Sequence, residues 1–272
     1  MQYYYYSKEE LIAHSKLPIV SAKDNDEIFN ALADEMIAII SENNQLDQPT
    51  VIICPVGPVG HYSYFVSKVN EQQLSLKNVW FINMDEYLDD HQQWIDINHR
   101  LSFRGFMNRE VYSKIDAELV MPETQRVFPD PNNLTHIPTL IEQLGKVDAC
   151  FGGIGINGHV AFNEPDGRLS NEDFLALPTR VLEIDPMTVA VNAVGDLQGA
   201  IEMMPKWCVT IGMREINAAK KIRLGVFREW HRSVLRRAVC GVATPEFPVT
   251  LLQNHPNIRV YASDFVLNHP LG

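Results

Sequence analysis

Cysteine is scarce and unpaired in this chain. Its 272 residues hold four, Cys54, Cys150, Cys208 and Cys240, with no CxxC spacing. That pattern offers neither a disulfide framework nor a zinc cluster, and three of the four fall in apolar runs, where cysteine serves as a small buried hydrophobe. No uninterrupted apolar stretch approaches the length of a membrane span. The N-terminus, MQYYYYSKEELIAHSK, lacks the basic start and apolar run of a secretory leader. Basic residues are outnumbered, 23 Lys and Arg against 34 Asp and Glu, leaving a net charge of −11. An acidic surface of that size argues against nucleic acid or an anionic membrane as the main partner. Repeats, linkers and low-complexity tracts are also missing. With 46% hydrophobic and 21% charged residues, the chain reads as an ordinary globular protein of the reduced cytoplasm, one domain over 1–272.

What is present is an alternation. TVIICPV (50–56), NVWFINM (78–84), DACFGGI (148–154), WCVTIG (207–212), KIRLGVF (221–227) and NIRVYA (257–262) read as buried strands. Between them lie helical patterns at 24–42, 136–145 and 229–240. The first places Ile28, Leu32, Met36 and Ile39 on one face, with Asp24 or Asp26 as its cap. The segments 121–135 and 163–180 read as loops. Strand–helix alternation at this spacing implies an α/β fold, a mostly parallel doubly wound sheet with helices on both faces. Ligands of such folds bind beyond the carboxyl ends of the strands, which selects the loops after Pro55, Met84 and Ile154.

The loop after Met84 reads NMDEYL, so Asp85 and Glu86 leave the strand at the sheet edge. A carboxylate at a dry pocket mouth has a raised pKa and can act as a general base. The plainer alternative is a pair of solvated loop acids, or a helix cap at Asp85. The loop after Ile154, within FGGIGINGHVAFNEP (151–165), is glycine-rich, with Gly152, Gly153, Gly155 and Gly158 allowing tight turns and close backbone approach. His159 supplies an imidazole, the side-chain type suited to exchanging protons, and Glu164 is close enough to orient it. A glycine turn holding a structural histidine is the bland alternative.

Taken together, these two loops resemble those of the glucosamine-6-phosphate deaminases (isomerases), whose hallmarks are NMDEY and GGxGxDGHxAFNEP. The similarity continues through NHRLSFRGFMNRE (98–110), MPKWCVTIGMREINAAKKI (204–222) and FPVTLLQNHPNIRVYASD (247–264), so it covers most of the chain. Phosphogluconolactonases share the fold but typically show DER and GHTASLFP, which differ from the DEY and GHVAFNEP here. The resemblance implies a sugar substrate, proton transfer between C1 and C2, and no metal or organic cofactor. It assigns the C1/C2 base to Asp85 and ring opening to His159 supported by Glu164. Gly153, Gly155, Gly158 and Glu86 fall among the implied substrate contacts, and family members often form homo-oligomers.

Two departures follow from the same resemblance. The family has aspartate where this chain has Asn157. An amide carries no negative charge, and if its NH₂ faces the imidazole it selects the wrong tautomer, so weakened ring opening is expected. The family's phosphate-binding turn, P-[ST]-G-x-T/S, is replaced by PVGPVGHYSY. Val56, Gly57, Val59 and Gly60 supply no hydroxyl, and Pro58 removes a backbone donor. The family's phosphate-binding arginine aligns near Met187 and its lysine with His231. Arg228 and Arg232 flank His231, Arg100 and Arg104 follow NMDEYL, and the cluster at 228–232 is the candidate anion site. The expectation is an isomerase or deaminase with a changed substrate. A catalytically silent sugar-binding module and a lactonase-like hydrolase are the competing readings.

Overall fold

In the computed structural model, which describes residues 2–270, seven strands form one parallel sheet. They are β1 (Ile19–Ala22), β2 (Thr50–Cys54), β3 (Val79–Asn83), β5 (Arg126–Val127), β6 (Ala149–Gly153), β9 (Ile222–Val226) and β10 (Ile258–Ser263), in the order β1-β10-β9-β6-β2-β3-β5. Three more, β4 (Asp85–Leu88), β7 (Arg180–Glu183) and β8 (Trp207–Thr210), make a small antiparallel sheet ordered β4-β8-β7. The helices are α1 (Lys8–His14), α2 (Asn25–Gln45), α3 (His61–Glu71), α4 (Phe103–Glu110), α5 (His136–Leu144), α6 (Asn171–Leu175), α7 (Pro186–Leu197), α8 (Met213–Asn217), α9 (His231–Cys240) and α10 (Asp264–Leu267).

The central strands read as unbroken apolar runs because both faces of the main sheet are covered. In β2, Val51 and Ile53 pack into a core with residues of α5, α8, α9 and α10. Ile52 and Cys54 point the other way, into a second core with α2 and α3. The long α2 starts where the Asp24 carboxylate accepts the Glu27 N–H, and Ile28, Leu32, Met36 and Ile39 are its buried face. Gly145, at φ 69°, closes α5 in the left-handed conformation.

All six expected strands form, but Trp207–Thr210 is the centre of the small antiparallel sheet, not a member of the parallel one. Strands β1, β4, β5 and β7 add to the expectation. The expected loops at 121–135 and 163–180 contain β5 and α6, and α1, α3, α4, α7, α8 and α10 are helices that the apolar periodicity did not show.

The parallel sheet reverses its order of growth between β2 and β6. From there the chain adds β3 and β5 on one side, and β9 and β10 on the other. Such a switch point leaves a crevice at the carboxyl ends of the strands. The small sheet stands beyond that crevice, entered where the chain passes from β3 through Met84 into β4.

The junction depends on Glu86, and here the structure corrects the reading of Glu86 as a substrate contact. Its carboxylate is fully buried and accepts hydrogen bonds from the N–H groups of Tyr87, Phe103 and Arg104, from Ser102 Oγ and from Arg104 Nε at 3.1 Å. Arg104 also stacks over Trp94 and donates to the Ile95 carbonyl. The pair staples β4 to the start of α4, and neither residue lines the cavity described below. Removing one partner of such a pair leaves a buried charge and several donors unsatisfied. Glu86→Ala is therefore expected to lower stability by about 3–5 kcal/mol. Urea denaturation checks this, and a loss below about 1 kcal/mol would contradict the staple.

Candidate active site

The crevice is a cavity of about 650 Å³. Its wall comes from the loops after β2, β3, β6 and β9 together with α7. Asp85, the first residue of β4, lies in this wall with His159. Asp85 is only 6% exposed, and its carboxylate makes no hydrogen bond among the described residues. Burial, reinforced by the Glu86 carboxylate, holds its pKa well above the usual range. This is the raised, pocket-facing carboxylate the sequence suggested, rather than a solvated acid or a cap.

The glycine loop is built around His159. Gly155 N–H donates to the His159 carbonyl at 2.9 Å, and Gly158 N–H to the Gly155 carbonyl at 3.0 Å. A methyl on Gly155 would lie 2.1 Å from the imidazole, so the ring rests on bare backbone. Gly153 lines the cavity with Gly155, its Cα facing Pro58 and the Gly57 carbonyl. Gly158 does not line the cavity. It has φ +85° and faces the Phe247 ring, so its role is conformational and its reading as a substrate contact is corrected.

Behind His159 lies a compact polar group. His159 Nδ1 is 2.8 Å from Asn157 Oδ1 and 3.2 Å from both Glu164 Oε2 and Thr188 Oγ1. Asn157 Nδ2 donates to Glu164 Oε2 at 2.7 Å. A carboxylate only accepts, so the amide nitrogen must face Glu164 and the amide oxygen must face the ring. The NH₂ group therefore does not face the imidazole, contrary to one expected consequence of Asn157. Burial of Glu164 raises its pKa, but contacts from His159, Asn157 and Thr188 outweigh this and hold it below the usual range. Thr188, fully buried at the start of α7, was not foreseen. A hydroxyl distant in sequence gives no local signal.

Val56, Gly57, Pro58, Val59 and Gly60 all line the cavity and offer no hydroxyl, as read from the sequence. Gly60 lets the Phe29 ring approach, since a Cβ there would lie 2.4 Å from it. Phe29 meets Phe227 edge-on at 5.0 Å, and Trp230 completes an aromatic border.

The candidate anion cluster separates. Arg228 lines the cavity, seated against Gly195 of α7, with no carboxylate of the described residues within ion-pairing distance. Arg100 also lines it and donates to the Asp196 carbonyl at 2.6 Å. Arg232 does not line it; its guanidinium stacks on Phe265 at 4.0 Å, which corrects its reading as a substrate contact. His231 borders the cavity but is no cation. Its Nδ1 accepts the N–H groups of Phe227 and Arg228, and its Nε2 donates to the Ile154 carbonyl. It ties the loop after β9 to the glycine loop as a neutral ring. Met187 is exposed and outside the wall. No group of His, Cys, Asp and Glu side chains suited to a metal ion occurs among the described residues.

The sheet order, the switch-point cavity and the paired loops define an α/β protein of the glucosamine-6-phosphate isomerase fold. No family model matches the chain. It is 28% identical over 250 residues to the glucosamine-6-phosphate deaminase of Clostridium perfringens, covering 88% of this chain and 94% of that protein. With the enzyme of the same name from Porphyromonas gingivalis it shares 29% over 245 residues, covering 87% and 88%. Among solved structures, a monomeric glucosamine-6-phosphate deaminase described as a missing link of the NagB superfamily superposes with a TM-score of 0.80 at 23% identity, over 92% of this chain and 98% of that one. A 6-phosphogluconolactonase from Trypanosoma cruzi gives 0.64 at 15% identity, over 92% and 95%. Over most of its length the chain is thus similar to proteins named glucosamine-6-phosphate deaminase, and it shares the fold of one of them.

Two histidines set an acid limit on this fold. Burial pushes His231 down to about 3, opposed by the Ile154 carbonyl and helped by Arg228. His61, at the start of α3, is pushed down to about 3 by burial alone, with both ring nitrogens unpartnered among the described residues. Each folded pKa lies below the ordinary 6.5, so the unfolded chain binds more protons than the folded one across that window. Stability is fully present above about pH 6.5 and falls as pH drops towards 3. His61→Phe loses no hydrogen bond and should make that fall shallower by about 1.4 kcal/mol per pH unit. Urea denaturation between these limits reads it, and an unchanged slope would contradict a neutral His61.

Proposed function

We propose that the protein moves a proton between C1 and C2 of a sugar, as an aldose–ketose isomerase or, with an amino group at C2, as a deaminase. The observation that carries this reading is Asp85, a desolvated carboxylate with no hydrogen-bonding partner among the described residues, in the same cavity as an oriented His159. The names of the relatives support the reaction class.

Ring opening takes one proton from the O1 hydroxyl and delivers one to the ring oxygen as the C1–O5 bond breaks. His159, with Nδ1 occupied, performs both through Nε2. Asp85 then accepts the C2 proton while one proton from the C2 hydroxyl or ammonium passes through His159 Nε2 to the C1 oxygen, giving an enediolate or an enolamine. Returning the proton to C1 yields the ketose or the 2-iminium ketose, and water releases ammonia from the latter. The raised basicity of Asp85 favours the abstraction, and its burial limits loss of the proton to solvent.

The other end of the substrate is not a 6-phosphate in this reading. The turn from Val56 to Gly60 and the Phe29, Phe227 and Trp230 border offer apolar surface, and Arg228 and Arg100 are the cations left to meet an anion placed elsewhere. A missing set of charge-assisted bonds, each worth about 1.5–3 kcal/mol, weakens binding of such a phosphate by orders of magnitude.

Two measurements test this. Asp85→Asn should abolish deuterium exchange at C2 of an accepted sugar and raise the melting temperature. The raised folded pKa of Asp85 makes its ionised form a cost at neutral pH, which the neutral amide removes. Retained exchange in the variant would remove Asp85 from the chemistry. Calorimetry with glucosamine 6-phosphate, glucosamine and an acidic sugar tests the far end. Micromolar binding and turnover of the phosphate would restore the substrate of the relatives.

A further inference from the structure

The polar group behind His159 has an unusual proton inventory. Asn157 sits between an imidazole and a carboxylate, accepting from His159 Nδ1 at 2.8 Å and donating to Glu164 Oε2 at 2.7 Å. A protonated carboxyl group at this position would present the same pattern, one acceptor towards the ring and one donor towards Glu164. An ionised one could not, because two carboxylate oxygens at that separation cannot both carry charge. We propose that Asn157 is a positioning residue that acts as a permanently protonated carboxyl, fixing the His159 proton on Nδ1 and leaving Glu164 as the single negative charge of the relay.

The consequence is a base whose support does not titrate through the neutral range. When His159 Nε2 accepts a proton from a sugar hydroxyl, Nδ1–H stays on Asn157 Oδ1 and the new positive charge is met by Glu164 at 3.2 Å. Giving the proton to the ring oxygen restores the neutral ring. Thr188, reaching in from α7, adds a hydroxyl 3.2 Å from the same Glu164 oxygen, which with the Asn157 amide makes two donors on that atom beside the imidazole. The other ionisable groups around the relay are Asp85 on β4, Arg180 on β7 and Cys208 on β8. Arg180 is held by Asn163 at 2.8 Å, Cys208 is a buried thiol pushed upward, and none of the three hydrogen-bonds to the relay. The amide is thus a working member of the relay and not a defect in it. Its role in ring opening rests on the isomerase reading, whereas the tautomer and the proton count do not.

Histidine-¹⁵N NMR of the intact protein tests the tautomer without any substrate. In its neutral form His159 should carry its proton on Nδ1 and leave Nε2 bare. Asn157→Asp should add one ionisation, visible as a ¹³C-carboxyl titration displaced upward from an ordinary aspartate. Above that ionisation His159 should retain its second proton, and sugar exchange should fall by about 100-fold relative to its value below it. Asn157→Leu should leave His159 a mixture of tautomers, and if it does not fold, Asn157→Asp decides alone. An Nε2-protonated ring in the wild type would overturn the proposal. So would an ordinarily ionised new carboxyl in Asn157→Asp with an unshifted pH profile. Absence of exchange in every form would sink the isomerase reading while the spectra still decide this one.

Discussion

Met84 is the hinge on which the site hangs, through two main-chain hydrogen bonds. Its N–H donates to the Cys54 carbonyl at 2.9 Å, and its carbonyl accepts the Ile211 N–H at 2.7 Å. One residue thereby joins the end of the parallel sheet to the small antiparallel one, and Asp85 is the next residue along. Asp85 pairs in register with Thr210, whose hydroxyl accepts the Phe162 N–H. Asn163 then bonds both the Val160 and Ile211 carbonyls. The loop that carries Asp85 and the loop that carries His159 are therefore fixed to the same seam. Hydrogen bonds to main-chain groups, made by the backbone at Met84 and by the Thr210 and Asn163 side chains, tie the two together.

Three buried carboxylates within this region show how environment divides chemistry from structure. Glu86 is saturated with donors and holds an arginine, so it is structural. Glu164 is held by an amide, a hydroxyl and an imidazole and stays ionised. Asp85 has burial without compensation. The unfavourable free energy of that last arrangement persists because the rest of the seam over-determines the position, as expected where strain serves a reaction.

The sequence made the core legible and the periphery obscure, for physical reasons. Strands buried on both faces produce runs such as TVIIC, which no other element mimics at that length. Strand β4 carries two acids and β7 partly exposed positions, and their pairing is antiparallel and remote, so no local period betrays them. In the site, Asp85 and His159 could be read because position after a strand and a glycine loop confine their side chains. His231 misled because it stands between two arginines, where charge suggests a ligand. Its ring nitrogens instead cap backbone, which only tertiary contact reveals. Arg232 misled for the related reason that helical spacing does not say which aromatic ring, here Phe265, a guanidinium covers.

The seat of Arg228 against Gly195 has a kinetic meaning when set against the charge of the whole chain. The protein carries −11 overall, yet Arg228 and Arg100 lie at its cavity. A ligand approaching from solution feels the negative exterior first and the guanidinium groups only within about one Debye length, roughly 8 Å at physiological ionic strength. Cationic sugars are accordingly drawn inward from a distance, and added salt slows their capture. Anionic sugars meet a barrier outside an attractive seat, so the same salt speeds their entry while weakening their hold.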